Sequence, residues 1–567
     1  MAEARAPVLA APRTAAVRPA LGVALIWAFL AVFLVYPLLR IFYDAFSDEA
    51  GRLTLANFVE FAADPFYRRS LVNSLLLGLG TVAATSVLGF AIALLLVRWE
   101  FPGRNLFGYL TLIPIISPPL VGVLGFTFIL GRAGTVNVLL EDWFGLARPI
   151  NFVYGVHGVL LVETLHLFPM ITLNVVDALG KIDPALEEAA ESVGARGWRK
   201  LRTITLPLTT PGYVAGALLV FIWTFSDFAT PLVLGVHDLL AAQAYLNIVQ
   251  FVDRRLFRMG IVISALMVVL AVVFLLAARR YVAIKDYSSL SYSRIPRRRP
   301  SALAQAAAAV FLAAVMLLSF VPYLGVALAS VGKGWSLTPF PVQYTTMFFE
   351  RVLVETPKYV VNSFLYATLA VLLCIVLGVP IAWILARTRL PGRDTLDALN
   401  TLILAIPGTA IGIAYVRAFH AELPWLDVRL TSFWIILPIV LAVRRLPYTV
   451  RGSYASLLLV HRSMEEAAAS VGATGLRSFR DVTLPLIWRG VLVGALFSFM
   501  TSLQEASAVL FLSLGGWETI PVGIFAFYIA GSANEAAALG VILIAVAAVS
   551  VLAINRVAGT RMGGMYG

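Results

Sequence analysis

Twelve apolar runs, each long enough to cross ~30 Å of hydrocarbon, leave this chain few folds to choose from. They lie near 20–42, 70–97, 106–130, 153–176, 211–235, 259–279, 302–328, 360–386, 397–419, 431–449, 487–513 and 535–555. A bilayer core offers no water to a bare backbone, so such runs close their hydrogen bonds internally as helices. The expected class is therefore all-α integral membrane with twelve transmembrane helices. Composition agrees: 60% of residues are hydrophobic and 13% charged, against about 25% charged in soluble domains. A soluble enzyme is excluded. Cys374 is the one cysteine and sits inside an apolar run, which excludes an intrachain disulfide and any cysteine-ligated zinc or iron–sulfur site. The first run follows Arg5, Arg13 and Arg18, but it is longer than a signal peptide's core and no small-residue cleavage site follows. It reads as a retained anchor.

Lys and Arg in the connecting segments set the orientation. With the N-terminus in the cytoplasm, the inside segments hold 29 of these residues and the outside loops 14. Both termini are then expected inside. The longest basic run, RIPRRR at 294–299, falls on the cytoplasmic side between the sixth and seventh crossings. It reads as cytoplasmic retention and contact with anionic membrane lipid, not as a nucleic-acid site.

That linker divides two repeats, 1–295 and 296–567. Asn73-Ser74 recurs as Asn362-Ser363, and Pro102-Gly103-Arg104 as Pro391-Gly392-Arg393, both 289 positions on. Further along, EEAAESVGARGWRKLRTITLPL from Glu187 recurs as EEAAASVGATGLRSFRDVTLPL from Glu465, only 278 positions on. The second half is thus eleven residues shorter between these landmarks, around outside loop 131–152 and its counterpart near 420–430. Six crossings separate the copies, so they share one orientation in a parallel duplication.

The polar repeat, about 183–207 and about 461–485, lies in a cytoplasmic loop of each half. Asp183 can cap a helix that has Pro184 at its first position. Glu187 and Glu188 then favour the positive end of the helix dipole. Leu186, Ala189, Ala190 and Val193 make a narrow apolar stripe, and Gly194 is placed to end the helix left-handed. In the second copy the stripe is Met464, Ala467, Ala468 and Val471, with Gly472 at the end. Ser463 and Glu466 have capping-box spacing there. Each copy is expected to be a short helix outside the membrane. It could pack only on its own bundle, or it could be a docking knob for a cytoplasmic partner present twice.

Glu188-Ala189-Ala190, Gly194, Ile204 and Leu206-Pro207 resemble the EAA loop of ABC-importer permeases without a mismatch. Glu466-Ala467-Ala468, Gly472, Val482 and Leu484-Pro485 depart only by Val for Ile. Both halves resemble the six-helix type I ABC-importer permease domain, fused head to tail. In that family the loop is a coupling helix seated in a groove of the nucleotide-binding subunit. The resemblance assigns coupling here to Glu187, Glu188, Ala189, Ala190 and Gly194, and to Glu465, Glu466, Ala467, Ala468 and Gly472. It also implies two ABC ATPase subunits, an external substrate-binding protein, and a bacterial cytoplasmic (inner) membrane location. ATP and Mg would sit on the ATPase subunits, with no cofactor on this chain.

The chain carries no GxxxxGK[ST] phosphate loop; Gly332-Lys333 is a lone dipeptide. It is expected to be no enzyme by itself. No HExxH, GxSxG or paired-Asp motif points to membrane-embedded catalysis either. An ion-gradient-driven secondary transporter is the rival class, and it would have no use for two docking helices. SDFATPLVLG from Ser226 and ETLHLFP from Glu163 look most like ferric-iron permeases. Related permeases carry 2-aminoethylphosphonate, thiamine, polyamine or sugar phosphate.

Four polar residues inside the apolar runs are pathway candidates. Glu163 and His166 form a Glu-x-x-His pair on one helix face, either satisfying itself or binding metal; di-iron bundles need two such pairs. Asp227 in the fifth crossing and Glu505 in the eleventh stand 278 apart, so they are equivalent. A carboxylate at the bilayer centre costs roughly 2.5–3.5 kcal/mol. Either each is satisfied within its bundle, or both face a central pathway and favour a cationic cargo. Pro231, four residues past Asp227, is expected to open that helix.

Overall fold

Each apolar run becomes helix, and each half builds the same nine elements in the same order. The computed structural model describes residues 17–250, 252–283, 297–335, 337–420 and 428–558. In the first half these are α1 (Leu21–Ala45), α2 (Pro65–Arg98), α3 (Arg104–Leu110), α4 (Pro119–Leu130), α5 (Val156–Gly180), α6 (Pro184–Ser192), α7 (Leu206–Ser226), α8 (Leu240–Val249) and α9 (Arg254–Ala283). The second half repeats them as α10 (Ala302–Val331), α11 (Lys358–Arg387), α12 (Arg393–Ala405), α13 (Gly408–Phe419), α14 (Ile436–Leu459), α15 (Arg462–Ser470), α16 (Leu484–Leu503), α17 (Ile520–Ile529) and α18 (Ala533–Ala558). Among the described residues, 10 helical segments are long and apolar enough to cross a membrane, or 11 if α12 and α13 count as one bent span. α14 is equally long, and Arg444, Arg445 and Arg451 make it less apolar than the rest. The boundary expected at 295/296, and the counterpart of loop 131–152 at 421–427, lie outside the described residues.

Proline sets the sharpest break. α12 and α13 meet at 109°, because Pro407 forces Ile406 out of helical geometry (φ −72, ψ 123). Ser117, 289 positions earlier and followed by Pro118, is extended in the same way (φ −95, ψ 144).

The fifth and eleventh runs stop short of the ends expected from sequence. α7 ends at Ser226, not 235, and α16 at Leu503, not 513. Asp227 and Glu505 therefore lie just past a helix end, not within a crossing. Asp227 is extended (φ −76, ψ 120), and its Oδ1 accepts from the Ala229 N–H at 2.9 Å. It thus caps the short turn Ala229–Val233 that contains Pro231. The glutamate does likewise, Oε1 accepting from Ala508 N at 3.1 Å. Beyond these breaks the segments read as outside loops fold back inward as α8 and α17. Leu240, Ala242, Ala244, Ile520 and Ile524 are buried there.

Equivalent contacts pin both re-entrant helices. The Ser74 hydroxyl accepts from Leu240 N and the Ser363 hydroxyl from Ile520 N, each at 2.7 Å, satisfying first-turn donors the helix leaves bare. Asn73 donates to Asp238 at 2.8 Å and Asn362 to the Gly516 carbonyl at 2.8 Å. Arg69 pairs with Asp238 at 3.0 Å as Lys358 does with Glu518 at 3.1 Å. The repeated Asn-Ser dipeptides thus make interhelical hydrogen bonds.

The first helix of each half packs on the opposite half. α1 lies along α13: the Tyr36 hydroxyl donates to the Ala418 carbonyl, the Tyr415 hydroxyl to that of Phe33, and Arg417 pairs with Asp44. α10 lies along α4, where the Tyr323 hydroxyl donates to the Pro114 carbonyl at 3.1 Å. Backbones nearly touch there. A Cβ built on Gly125 would stand 1.8 Å from the Pro322 oxygen, and one on Gly325 2.4 Å from the Gly125 oxygen.

Candidate functional site

Two features stand apart from simple helix packing. The first is the pair of polar helices α6 and α15. Asp183 caps α6, its Oδ1 accepting from Ala185 N at 2.9 Å. The capping box expected at Ser463 and Glu466 does not form. His461, the positional equivalent of Asp183, caps α15 through Nδ1, and α15 starts one residue before Ser463. Both helices end in one Schellman turn. Ala195 N donates to Ala190 O at 2.9 Å with Gly194 at φ +83; Ala473 N donates to Ala468 O at 3.0 Å with Gly472 at φ +87.

The sides of these helices differ from the expected stripe. Glu187 and Ala190 face the bundle, while Glu188, Ala189, Val193 and Trp198 are exposed. On α15, Glu465 and Ala468 are half-buried, and Glu466, Ala467, Val471 and Leu476 are exposed. Glu187 is therefore an anchor to the bundle. It receives both Nη groups of Arg98, at the end of α2, and the Thr205 hydroxyl at 3.3 Å. Glu465 repeats this with Arg387 Nε at 3.1 Å and the Thr483 hydroxyl at 3.1 Å. Through Glu191, α6 is tied also to Arg298 of the linker between halves at 2.5 Å and to Lys200 of its own loop at 2.7 Å. These two cations hold the Glu191 carboxyl below the usual carboxylate range.

The two anchors predict unequal mutants. Glu187→Ala strands Arg98, and breaking a buried pair costs about 3–5 kcal/mol. Arg387 keeps the carbonyls of Leu457 (3.1 Å) and Val460 (2.6 Å) when Glu465 is removed. Amide exchange across 184–192 in Glu187→Ala is expected to rise at least tenfold more than across 462–470 in Glu465→Ala. Equal increases would contradict the anchor assignment.

The second feature is a cavity of about 150 Å³ where the halves meet. Glu163, Asp227 and Phe228 line it from the first half; Arg444, Arg445 and Glu505 line it from the second. Asp227 lies one residue past α7, whose 21 residues span about 31 Å, so the cavity sits toward the end of that helix remote from α6. Aromatic rings from both halves pack around Phe228. Phe228 packs on Tyr245 at 5.1 Å and Phe525 at 5.7 Å, and Tyr245 meets Phe525 at 5.7 Å. Tyr245 and Phe525 are equivalent residues of α8 and α17.

The carboxylates of this cavity are not alike. Glu163, 1% exposed, stands beside Asp227. Its Oε2 accepts from Thr224 at 3.4 Å, its carboxyl is within hydrogen-bonding reach of that of Asp227, and Glu163 Oε1 and Asp227 Oδ2 receive no other donor among the described residues. Glu505 instead pairs with Arg444 at 2.9 Å and with Arg445. His166 is buried, is not among the cavity-lining residues, and its Nε2 has no partner among the described residues. No group of three or more potential metal ligands occurs among the described residues. The matched acids Asp227 and Glu505 do reach one cavity, but the second is already neutralised.

A family model, that of the binding-protein-dependent transport system inner membrane component, matches residues 85–286 and 378–564. Each match spans one half, including its polar helix. The chain belongs to this family. It is the permease component of an ABC importer, a multi-pass inner-membrane protein in two repeats. Among relatives, the ferric transport system permease protein FbpB of Actinobacillus pleuropneumoniae is 28% identical over 93% of this chain and 76% of its own. A protein of Haemophilus influenzae also named for ferric transport is 27% identical over 85% and 76%. One named for 2-aminoethylphosphonate transport, from Salmonella choleraesuis, is 31% identical over 38% of this chain and 77% of its own.

Arg444 and Arg445 of the permease escaped the sequence reading. The signal was present: two adjacent arginines inside an apolar run, 278 positions beyond His166 and Leu167, where an intramembrane charge marks function by default. The re-entrant helices also had a signal, since apolar segments of 10–14 residues are too short to span and fit a re-entrant course.

Proposed function

We propose that the permease moves its cargo inward, from an external binding protein to the cytoplasm, driven by two ATPase subunits docked on α6 and α15. The observation that carries this reading is the duplicated helix itself. Each copy is pinned to its bundle by an Arg–Glu pair and turns an alanine face with an exposed apolar tip outward. Such faces fit a groove on a second protein, and an ion-gradient transporter has no use for two of them. ATP and Mg²⁺ belong to the docked subunits. Both termini lie in the cytoplasm, in keeping with the distribution of Lys and Arg.

Ferric iron is the proposed cargo. Two relatives that cover most of the chain are named for ferric transport, and the unpaired oxygens of Glu163 and Asp227 are hard ligands suited to a hard cation. In the assembled importer, Glu163→Gln with Asp227→Asn is expected to cut ferric iron uptake at least tenfold. ATPase stimulation by the loaded binding protein should be kept. Normal uptake by the double variant would refute the pathway, and purification without ATPase subunits would refute the docking.

A further inference from the structure

The cavity between the halves carries two opposite walls, and a bare cation accounts for only one of them. On the first-half wall Glu163 and Asp227 stand side by side, their carboxyls within hydrogen-bonding reach of each other, and each has an oxygen that receives no other donor among the described residues. The second-half wall has two guanidinium groups for one carboxylate. Arg444 Nε and Arg445 Nη2 both converge on the single oxygen Oε2 of Glu505, whose Oε1 is taken by the Ala508 N–H. One positive charge is left in excess on that wall. Its donors are not exhausted either: Arg445 Nε is buried with no partner among the described residues.

The repeat sharpens the contrast. Arg444 and Arg445 occupy the positions held by His166 and Leu167 in the first half, while Glu163 is matched by Leu441. A duplicated pore has thus become acidic on one side and basic on the other. For a passing cation the arginines would be a barrier, because a like charge in a poorly solvated site repels strongly. A guanidinium fork suits phosphate, phosphonate or carboxylate oxygens.

We propose that this cavity binds a cargo bearing both charges, its cationic part against Glu163 and Asp227 and its anionic part against Arg444 and Arg445. The shared chemistry admits two sources: a metal cation travelling with its own oxyanion, or a zwitterion such as an aminophosphonate. The proposal rests on reading the cavity as the transit site, yet its anion subsite can be tested without transport.

Purified permease would be followed by thermal unfolding with inorganic phosphate as probe, against chloride at matched ionic strength. Phosphate is expected to raise Tm by at least about 2 °C in wild type and in Glu163→Gln, and not in Arg445→Gln. Arg445→Lys, which keeps the charge but not the fork, should recover part of the shift. Ser507→Asp removes neither arginine nor Glu505 from the cavity. Ser507 Cβ, Arg444 Nη2 and Glu505 Oε1 lie 2.6, 3.0 and 3.0 Å from one point, a Cβ built on Gly408. A carboxylate there would occupy the anion's place and abolish the shift, which keeps the test open if Arg445→Gln does not fold. Ferric ion with phosphate exceeding phosphate alone identifies the ion-pair source. A larger shift with 2-aminoethylphosphonate, lost in both Glu163→Gln and Arg445→Gln, identifies the zwitterion. No phosphate shift in wild type, or one undiminished in Arg445→Gln and Ser507→Asp, overturns the anion subsite whatever the importer carries.

Discussion

Valine at Gly125 is expected to leave almost no assembled permease, with the yield of monodisperse protein falling at least tenfold. The added Cβ would stand 1.8 Å from the Pro322 oxygen and 2.4 Å from its carbonyl carbon. Those are backbone atoms of α10, so no rotamer change relieves the contact and the helices must part. Overpacking that side chains can absorb costs about 1–3 kcal/mol; a clash with backbone across the contact between halves exceeds that range. Gly122, one turn earlier on α4, is the control. Nothing lies within 4 Å of a Cβ built there, so Gly122→Ala should purify like wild type. Equal yields from Gly125→Val and Gly122→Ala would show that α10 does not press on α4 in the membrane.

A second large effect is expected from Gly194→Val combined with Gly472→Val: insertion and yield unchanged, transport reduced at least tenfold. Both glycines are left-handed, at φ +83 and +87, and a Cβ at either meets no atom within 4 Å. Crowding is therefore absent and the whole penalty is conformational. A left-handed L-residue costs roughly 1–2 kcal/mol, and a β-branched one resists the region most. The Schellman turns would open, and the exposed tips at Val193 and Val471 would swing away from the docking face. Transport at wild-type level in the double variant would remove the case for these helices as couplers.

Sequence was most legible where local chemistry decides the outcome. Apolar runs of this length became helices because a single segment in lipid closes its backbone hydrogen bonds within itself only as a helix. Gly194 and Gly472 ended α6 and α15 as their type requires. Where a tertiary partner decides, legibility failed. Glu187 reads as one more acid at a helix start, and only the approach of Arg98, 89 positions earlier, makes it an anchor. His461 displaced Ser463 as the cap because α15 already begins at Arg462, one residue before the expected capping box. Asp227 and Glu505 were matched by spacing alone. What separates them is the partner each meets, and Glu505 finds Arg444 and Arg445 about 60 positions back, a pairing that helix periodicity does not encode.

The crossed packing of α1 and α10 has a consequence for synthesis. The Tyr415–Phe33 hydrogen bond joins residues 382 positions apart, so α1 leaves the ribosome long before its partner exists. α4 waits likewise for α10. Neither repeat can finish folding on its own, and contacts of such long range are slow to form. Until α13 arrives, the face of α1 that carries Asp44 stays uncovered in the bilayer. Growing chains of this permease are therefore most exposed to mispairing and degradation before residue 415 emerges, however well each helix has already formed.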